Sequence, residues 1–469
     1  MGPMSLMGHM RLMKPIRPRN SFNNYLNMKL TILSILLALA TTAGAQDFDE
    51  YFEDNTLRLD YVFGGDSSAQ YIQLSQLYKQ PRWAGRRARL AETYLLGNAQ
   101  INVFDHATGR LIYVHTFSTL FQEWLNEKEA TQMRRAFEAS YNIPFPKQPV
   151  DIRVTLTDNH NKVTTVMTHR VDPKDILIRP VGENGIPYRY VVRSGDISQC
   201  VDLAIVAEGY TAAEMDKFWK DSERAAEAIF SHEPFKSMKN RFNVVAIGAV
   251  SNESGPSEPG KGIWHDTVLR SHYDTFYSDR YLTTSAVHRL FDLLSGVPFE
   301  HIIVLINTPR YGGGGIYNQW MCSSSDHATF KQVLVHEFGH SYAGLADEYN
   351  YGDNHVEWYP SDTEPWEPNI TTLKDFGKKW GDLIKAGTPV PTSPTIGDYN
   401  TARRQMTTAQ LNEKTQRVGV FEGAGYMARG AYRPAELCRM NVNEVDDFCP
   451  VCTRAIIGIT DFYTGTVAK

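Results

Sequence analysis

The spacing of hydrophobic and polar residues divides the chain into two parts with different periodicities. In the first part, several segments alternate hydrophobic and polar positions with the period of two that is typical of half-buried β-strands. These segments are residues 57–63, 99–104, 111–117, 150–156 and 163–171. Residues 118–139 instead show helical spacing. The pattern predicts a small β-sandwich with a helical insertion.

From residue 197 onward, hydrophobic runs alternate with segments of helical spacing. Buried strands are predicted at residues 200–206, 241–250 and 301–306, and helices at 212–230 and 286–294. This alternation is typical of a sheet with helices packed on it. Residues 188–195 are expected to connect the two parts. Further helices are predicted at residues 371–386, 399–411 and 449–462.

A helix is also predicted around the motif His-Glu-Phe-Gly-His at residues 336–340. Ser324, Ser325 and Asp326 offer oxygens that can cap its start, and Val333, Leu334, Val335 and Phe338 supply a hydrophobic face. Residues four apart lie on one face of a helix, so His336 and His340 can bind one zinc ion. Glu337 is then placed to act as general base towards a water at the open coordination position.

Several other segments carry a resemblance to a known family. They are HEFGHSYAGLADEY at 336–349, YGGGGIYN at 311–318, EGYTAAEMDKF at 208–218, YDTFYSDRYLTT at 273–284, and YRPAELCRMN at 432–441 with the following CPVC. Together they resemble the IgA-peptidase family of zinc metallopeptidases, the igalysins of the metzincin clan. The resemblance covers about residue 194 to the C-terminus. It implies an α+β protein in which an N-terminal β-sandwich precedes a metzincin-like α/β zinc-protease catalytic domain.

The resemblance also implies further site residues. In metzincins the zinc helix ends at a glycine and the third zinc ligand follows three residues later, which here points from Gly344 to Asp347. Glu348 is the alternative ligand. The segment Cys-Arg-Met-Asn at 438–441 resembles the metzincin Met-turn, which implies that Met440 lies beneath the zinc ion.

A donor for the developing oxyanion is expected as well. Some metzincins place a tyrosine two residues after the Met-turn methionine, where this chain has Val442. Tyr432 and Arg433 are the candidates to replace it. The glycine-rich segment at 311–318 resembles the edge strand that binds an extended substrate, although a flexible glycine loop has the same composition.

Length and charge limit the other possibilities. A chain of 469 residues is too long for one ordinary core, so we expect two domains at residues 46–190 and 191–469. The net charge of −5 gives no electrostatic basis for binding nucleic acid. A substrate that is a protein or peptide remains the expected partner.

The N-terminal region indicates export. Residues 30–40 form a hydrophobic run preceded by Lys29, and Ala43-Gly44-Ala45 offers a cleavage pattern before Gln46. Met28 is the expected start, with residues 1–45 forming an upstream extension and signal peptide. The run is short for a membrane span. We therefore expect a secreted, periplasmic or cell-surface protein with no stable membrane insertion after signal cleavage.

The five cysteines cannot all form disulfides with one another. Cys449 and Cys452 have the spacing of a redox or metal motif, and a structural zinc would need two more ligands, of which Cys438 is the nearest candidate. A local disulfide or buried thiols near the Met-turn is the expectation we favour. Taken together, the sequence predicts a secreted zinc endopeptidase. The alternatives are a zinc-stabilised surface-binding module and a zinc hydrolase of a non-peptide envelope amide.

Overall fold

The structure is a computed structural model that describes residues 47–351, 357–397 and 404–465. The predicted signal peptide and the expected mature start at Gln46 lie outside the described residues. Within these residues, no helix combines the length and hydrophobicity needed to cross a bilayer. The described part has a mixed α and β fold with several sheets.

The N-terminal part consists of two four-stranded sheets packed around a common hydrophobic core. A short helix, α1 at Phe48–Tyr51, precedes them, and a second short helix, α2 at Leu120–Trp124, lies between two of their strands. The strands are β1 Phe52–Gly65, β2 Gln70–Pro81, β3 Ala99–Asp105, β4 Leu111–Phe117, β5 Arg135–Pro146, β6 Val150–Thr157, β7 Val163–Val171 and β8 Arg179–Pro180. Their order is β5-β1-β2-β8 in one sheet and β4-β3-β6-β7 in the other. All five predicted strands are confirmed.

The predicted helical insertion is only partly correct. Helix α2 occupies its first part, but its last residues belong to β5, which pairs antiparallel with β1 along most of its length. Phe137, Ala139 and Tyr141 alternate inward and are buried, whereas Glu138 is exposed. Pairing and burial of this face outweigh the local helical spacing of the charges. Strand β2 was also missed, because only the first part of its residues follows a clear alternation of buried and exposed positions.

The second part is built on a six-stranded sheet in the order β13-β14-β12-β10-β11-β9. Four central strands run parallel, and the two edge strands are antiparallel to their neighbours. The strands are β9 Tyr188–Val192, β10 Val201–Glu208, β11 Phe242–Ile247, β12 His301–Ile306, β13 Gly313–Ile316 and β14 Trp320–Ser324. The expected connection at 188–195 is therefore largely an edge strand, and the glycine-rich segment forms the other edge.

The helices of this part are α3 Met215–Phe230, α4 Val287–Leu293, α5 Phe330–Ala343, α6 Thr408–Gln416 and α7 Pro450–Tyr463. A hairpin of β15 Phe421–Ala424 and β16 Met427–Arg433 precedes α7. The helices predicted at 212–230, 286–294 and 449–462 are confirmed. The prediction at 371–386 was wrong, because the described residues there form only short 3₁₀ turns at Phe376–Lys378 and Gly381–Leu383. The helix predicted at 399–411 overlaps α6, but its first residues, 399–403, lie outside the described residues.

The two parts share buried surface. Helix α4 packs on β5 of the N-terminal part, and Val287, Leu290 and Phe291 lie in the same core cluster as the sandwich residues. Arg58 on β1 is 1% exposed and forms ion pairs of 2.7 Å with Asp60 and with Asp292. A buried guanidinium needs such partners to offset its desolvation. The described residues from 47 to 465 belong to one compact unit.

Candidate metal centre

Helix α5 carries the histidine motif into the interior. Val333, Leu334, Val335 and Phe338 are buried, as predicted. The predicted cap at residues 324–326 was wrong: Ser324 ends strand β14, and the helix begins after Thr329 without a side-chain cap. The helix ends at Gly344, whose φ of 59° is left-handed and whose N–H donates to the His340 carbonyl. Glycine adopts this conformation without steric cost.

His336, His340 and Asp347 meet at one point. The two Nε2 atoms are 3.0 Å apart, and Asp347 Oδ1 lies 3.0 Å from His336 Nε2 and 3.3 Å from His340 Nε2. Ligand atoms bound at about 2.0–2.1 Å to one tetrahedral zinc ion are separated by roughly 3.3 Å. The three donor atoms therefore have the spacing of ligands to one metal ion.

Hydrogen bonds on the far side of each ring fix the orientation of both imidazoles. His336 Nδ1 donates to the Arg439 carbonyl at 3.0 Å, and His340 Nδ1 donates to the Leu345 carbonyl. A neutral imidazole that donates through Nδ1 directs the lone pair of Nε2 towards the common point. Asp347 Oδ1 is buried there and finds no hydrogen-bond donor among the described residues. Three electron-rich atoms facing one another fit a bound cation.

Because these side chains lie so close together, the pKa values of His340 and Asp347 are both shifted. Burial lowers the pKa of His340, but the Asp347 carboxylate, the charge of Glu337 and the hydrogen bond to the Leu345 carbonyl together raise it to about 9. The pKa of Asp347 behaves in the opposite way: burial raises it, and the two imidazoles hold it far below its usual range. A proton and a metal ion therefore compete for the Nε2 lone pair of His340.

Glu348 faces away from this point. Its carboxylate accepts from Asn369 at 3.0 Å and lies near the sulfurs of Cys438, Cys449 and Cys452. Its backbone N–H donates to the Met440 carbonyl at 2.8 Å. Of the two candidate third ligands, the structure brings only Asp347 to the histidines.

Met440 lies beneath the metal-binding helix. It is fully buried, and a Cβ added to Gly339 would come within 2.8 Å of its sulfur. Gly339, between the two histidines, thus leaves the space that Met440 fills. The preceding residue, Arg439, supplies the carbonyl that orients His336. Met440 therefore packs against the helix between the two histidines.

The glycine-rich segment is an ordered strand packed closely on both faces. A Cβ on Gly313 would lie 2.9 Å from Cγ and Oε1 of Glu337, and one on Gly315 would lie 2.6 Å from the Glu337 carbonyl oxygen. On the other face, Gly314 leaves room for the ring of Tyr281. Close packing against α5 thus accounts for Gly313 and Gly315, and the ring of Tyr281 accounts for Gly314. The loop interpretation was wrong.

Glu337 lies between this edge strand and the metal ligands. Burial raises the pKa of its carboxyl, the two imidazoles lower it, and the charge of Asp347 raises it again, with a net increase. A carboxyl whose pKa is raised in this way is a better proton acceptor than an ordinary glutamate. The structure therefore places the predicted general base beside the predicted metal ligands.

A residue that the sequence did not indicate completes the site. The Tyr426 hydroxyl donates to Asp347 Oδ2, and its backbone N–H donates to the Tyr349 carbonyl at 3.0 Å. Tyr426 has a φ of 65°, which is uncommon for an aromatic residue and is found at functional sites. Tyr426 lies in the β15–β16 turn, far in sequence from the motif, and only its position after Gly425 hinted at a turn.

The two residues proposed as oxyanion donors lie elsewhere. Tyr432 pairs with Thr371 through backbone hydrogen bonds. Arg433 is half-buried and donates to the Gly423 carbonyl. Neither residue lines the cleft at the metal site, whereas Tyr426 does.

The site opens into a cleft of about 470 Å³ between the two parts of the protein. The second part contributes His340, Asp347 and Tyr426, and the N-terminal part contributes Gln122 and Glu123. The lining residues that the structure describes include carboxylates but neither lysine nor arginine. Burial raises the pKa of Glu123 to about 7, although a hydrogen bond from Tyr281 lowers it. The cleft is thus polar and acidic.

An imidazole pair and a carboxylate that converge on one point at the wall of a cleft, with a glutamate next to one of the histidines in the chain, are the features of metal-dependent hydrolases. One family model, described as IgA Peptidase M64, matches residues 190–460, and another, described as Peptidase M64 N-terminus, matches residues 47–168. Comparison with curated proteins gives no match. Since the first model covers more than half of the chain, the protein belongs to the IgA peptidase M64 family, as the resemblance predicted.

Membership makes the protein a peptidase, which hydrolyses peptide bonds in protein or peptide substrates. The family is one of metallopeptidases, and the convergent donors described above fit a bound metal ion. The two family models match separate regions of the chain, an N-terminal domain and a peptidase domain.

Proposed function

We propose that the protein is a secreted, zinc-dependent endopeptidase with a metzincin-like catalytic domain. The observation that carries this proposal is the group of three lone-pair atoms from His336, His340 and Asp347, separated by 3.0–3.3 Å. Two nitrogens and one oxygen at this spacing suit zinc, which prefers a tetrahedral site with one open position in catalysis. Bound zinc would polarise the scissile carbonyl and acidify a water molecule.

A side chain of the protein, Glu337, carries out the proton transfer. Glu337 accepts a proton from the attacking water and returns it to the leaving nitrogen, a role that its raised pKa favours. Tyr426 holds Asp347 through a hydrogen bond and lies at the cleft, where its hydroxyl is a candidate donor to the developing oxyanion.

Strand β13 offers a way to hold the substrate. It is the last strand of its sheet and lies against Glu337, and among the described residues only the Gly313 carbonyl on its outer side accepts a hydrogen bond, from the Leu282 N–H. An extended peptide can add to such an edge through backbone hydrogen bonds, which fixes its register without depending on its sequence. The proposed substrate is therefore an unfolded or loop segment of a protein.

The test is hydrolysis of denatured protein, peptides and cell-wall fragments by purified protein, with and without a chelator. We expect cleavage of peptides, loss of activity with chelator, and recovery with zinc. Glu337→Gln should retain the metal but lose more than about 100-fold in kcat, since general base catalysis contributes roughly 10²–10⁴-fold. Full activity of this variant, or turnover of cell-wall fragments alone, would refute the proposal. Detection of the processed chain outside the cytoplasm tests the proposed export.

A further inference from the structure

A second group of potential metal ligands lies behind the loop that carries Asp347. The sulfurs of Cys438, Cys449 and Cys452 and a carboxylate oxygen of Glu348 all lie within 4.8 Å of one another. All four residues are fully buried. All five cysteines of the chain fall within the described residues, and each is a free thiol. The cluster therefore contains more thiols than a single disulfide would use.

We propose that these four side chains bind a second divalent metal ion, zinc, which stabilises the fold and takes no part in hydrolysis. Cys438 Sγ and Cys452 Sγ are 3.8 Å apart. Two thiolates bound at about 2.3 Å to one tetrahedral zinc ion are also separated by roughly 3.8 Å, whereas a disulfide requires about 2.05 Å. Four protein ligands leave no open position, which is the arrangement of structural zinc sites.

Glu348 provides an independent reason for a cation. Its Oε1 accepts from Asn369 at 3.0 Å and contacts Cys452 Sγ at 3.0 Å, but no donor among the described residues reaches its Oε2. A fully buried carboxylate oxygen without a partner is strongly disfavoured unless a positive charge offsets its desolvation. A metal ion among the thiols would supply that charge.

The surroundings fit a site with excess negative charge. Three thiolates and one carboxylate carry four negative charges, of which a divalent ion neutralises two, and each thiol releases its proton on binding. The positive charge of the Arg433 guanidinium interacts with Glu348 and Cys438. Cys449 lies at the N-terminus of α7, where the helix dipole favours negative charge, and its N–H donates to Cys438 Sγ at 3.3 Å.

This second metal would hold together the two segments that shape the first site. Glu348 directly follows Asp347, and its N–H donates to the Met440 carbonyl at 2.8 Å. Cys438 directly precedes Arg439, whose carbonyl orients His336. Binding of Glu348 and Cys438 to one ion therefore fixes the distance between the Asp347 loop and the Met440 turn. Loss of that ion should weaken metal binding at the first site as well.

The experiment measures metal content and thiolate coordination separately. Protein purified with a reductant should contain two metal equivalents per chain by elemental analysis, and a His336→Ala/His340→Ala double variant should retain one. After exchange with cobalt, this variant should still show sulfur-to-cobalt charge-transfer absorption, because the first site has no thiolate. Cys438→Ser/Cys452→Ser should lose that absorption, and the control Cys200→Ser, which removes a buried thiol outside the cluster, should keep it.

Two results would overturn the proposal. One is a double histidine variant that is folded but binds no metal and gives no thiolate absorption with cobalt. The other is a disulfide between any two of the three cluster cysteines, found by mass spectrometry of the native protein. If the cysteine variant fails to fold, the wild-type protein and the histidine variant still decide the question. An active peptidase with a single metal equivalent would refute the second site while leaving the first intact.

Discussion

Because strand β13 packs against Glu337, we expect Gly313→Ala to lower kcat while leaving the free energy of unfolding nearly unchanged. The added Cβ would lie 2.9 Å from Cγ and Oε1 of Glu337. Carbon contacts are normally about 3.5–4.0 Å, so the glutamate side chain must move by roughly 0.6–1 Å. Because Gly313 does not require a positive φ, alanine adds no backbone strain there. The movement should fall mainly on the end of a flexible side chain.

A displacement of about 1 Å in a reacting group can lower the rate by about 100-fold, which is roughly 2.7 kcal/mol in the activation barrier. We therefore expect Gly313→Ala to lose about 10- to 100-fold in kcat on a fluorogenic peptide. Metal content should stay at the wild-type level. The free energy of unfolding should change by less than about 1 kcal/mol, since the neighbouring backbone need not move.

Two variants serve as controls. Gly315→Ala would place its Cβ 2.6 Å from the Glu337 carbonyl oxygen, which is backbone, so it should destabilise the fold by about 1–3 kcal/mol. Gly377→Ala meets no atom within 4 Å and should change neither quantity. Wild-type kcat in a fully metallated Gly313→Ala enzyme would show that the position of Glu337 is not set by β13, and the reasoning would fail.

Three further predictions concern single side chains. Tyr426→Phe removes the hydroxyl that donates to Asp347 and should weaken metal binding about 10- to 100-fold in chelator competition, with Tyr432→Phe as the unaffected control. Unchanged affinity would refute the positioning role. Burial raises the pKa of Asp202 to about 7, so the folded protein keeps a proton that the unfolded chain loses near pH 4. The free energy of unfolding should therefore fall by up to about 4 kcal/mol as pH rises from 4 to 7. Asp202→Asn should lack this decline in denaturant titrations. Parallel curves of unfolding free energy against pH for the two proteins would refute this reasoning. Glu123, with a pKa of about 7, should gain its charge as pH rises through neutrality. The ratio of wild-type to Glu123→Gln kcat/KM on a cationic peptide should then increase across that range, and a flat ratio would contradict it.

Local sequence patterns were sufficient to predict a helix or strand when one face of that element is buried. The alternating residues of β3 and the hydrophobic face of α5 were predicted correctly, because their burial follows directly from sequence spacing, whereas β4 buries three residues in a row at residues 112–114. Gly344 also indicated where the helix ends and so where Asp347 follows. These features depend on residues close together in the chain.

Features that depend on distant residues were not predictable in the same way. Tyr426 is 79 residues from Asp347, and Cys452 is 104 residues from Glu348, so no local spacing links either pair. The charges of β5 suggested a helix until its pairing with β1 was known. The glycines at 313 and 315 could not be assigned from composition, because their role is the space they leave for α5.

The ion pair between Arg58 and Asp292 can form only after most of the N-terminal part has been synthesised. Its partners are 234 residues apart, and ribosomes add about 5–20 residues per second. The strand β1 that carries Arg58 therefore leaves the ribosome roughly 10–50 s before helix α4 can pack on the N-terminal sheets. During that interval the sandwich residues that pack against Val287, Leu290 and Phe291 lack these partners, so the first part completes its core only after the second part has been made.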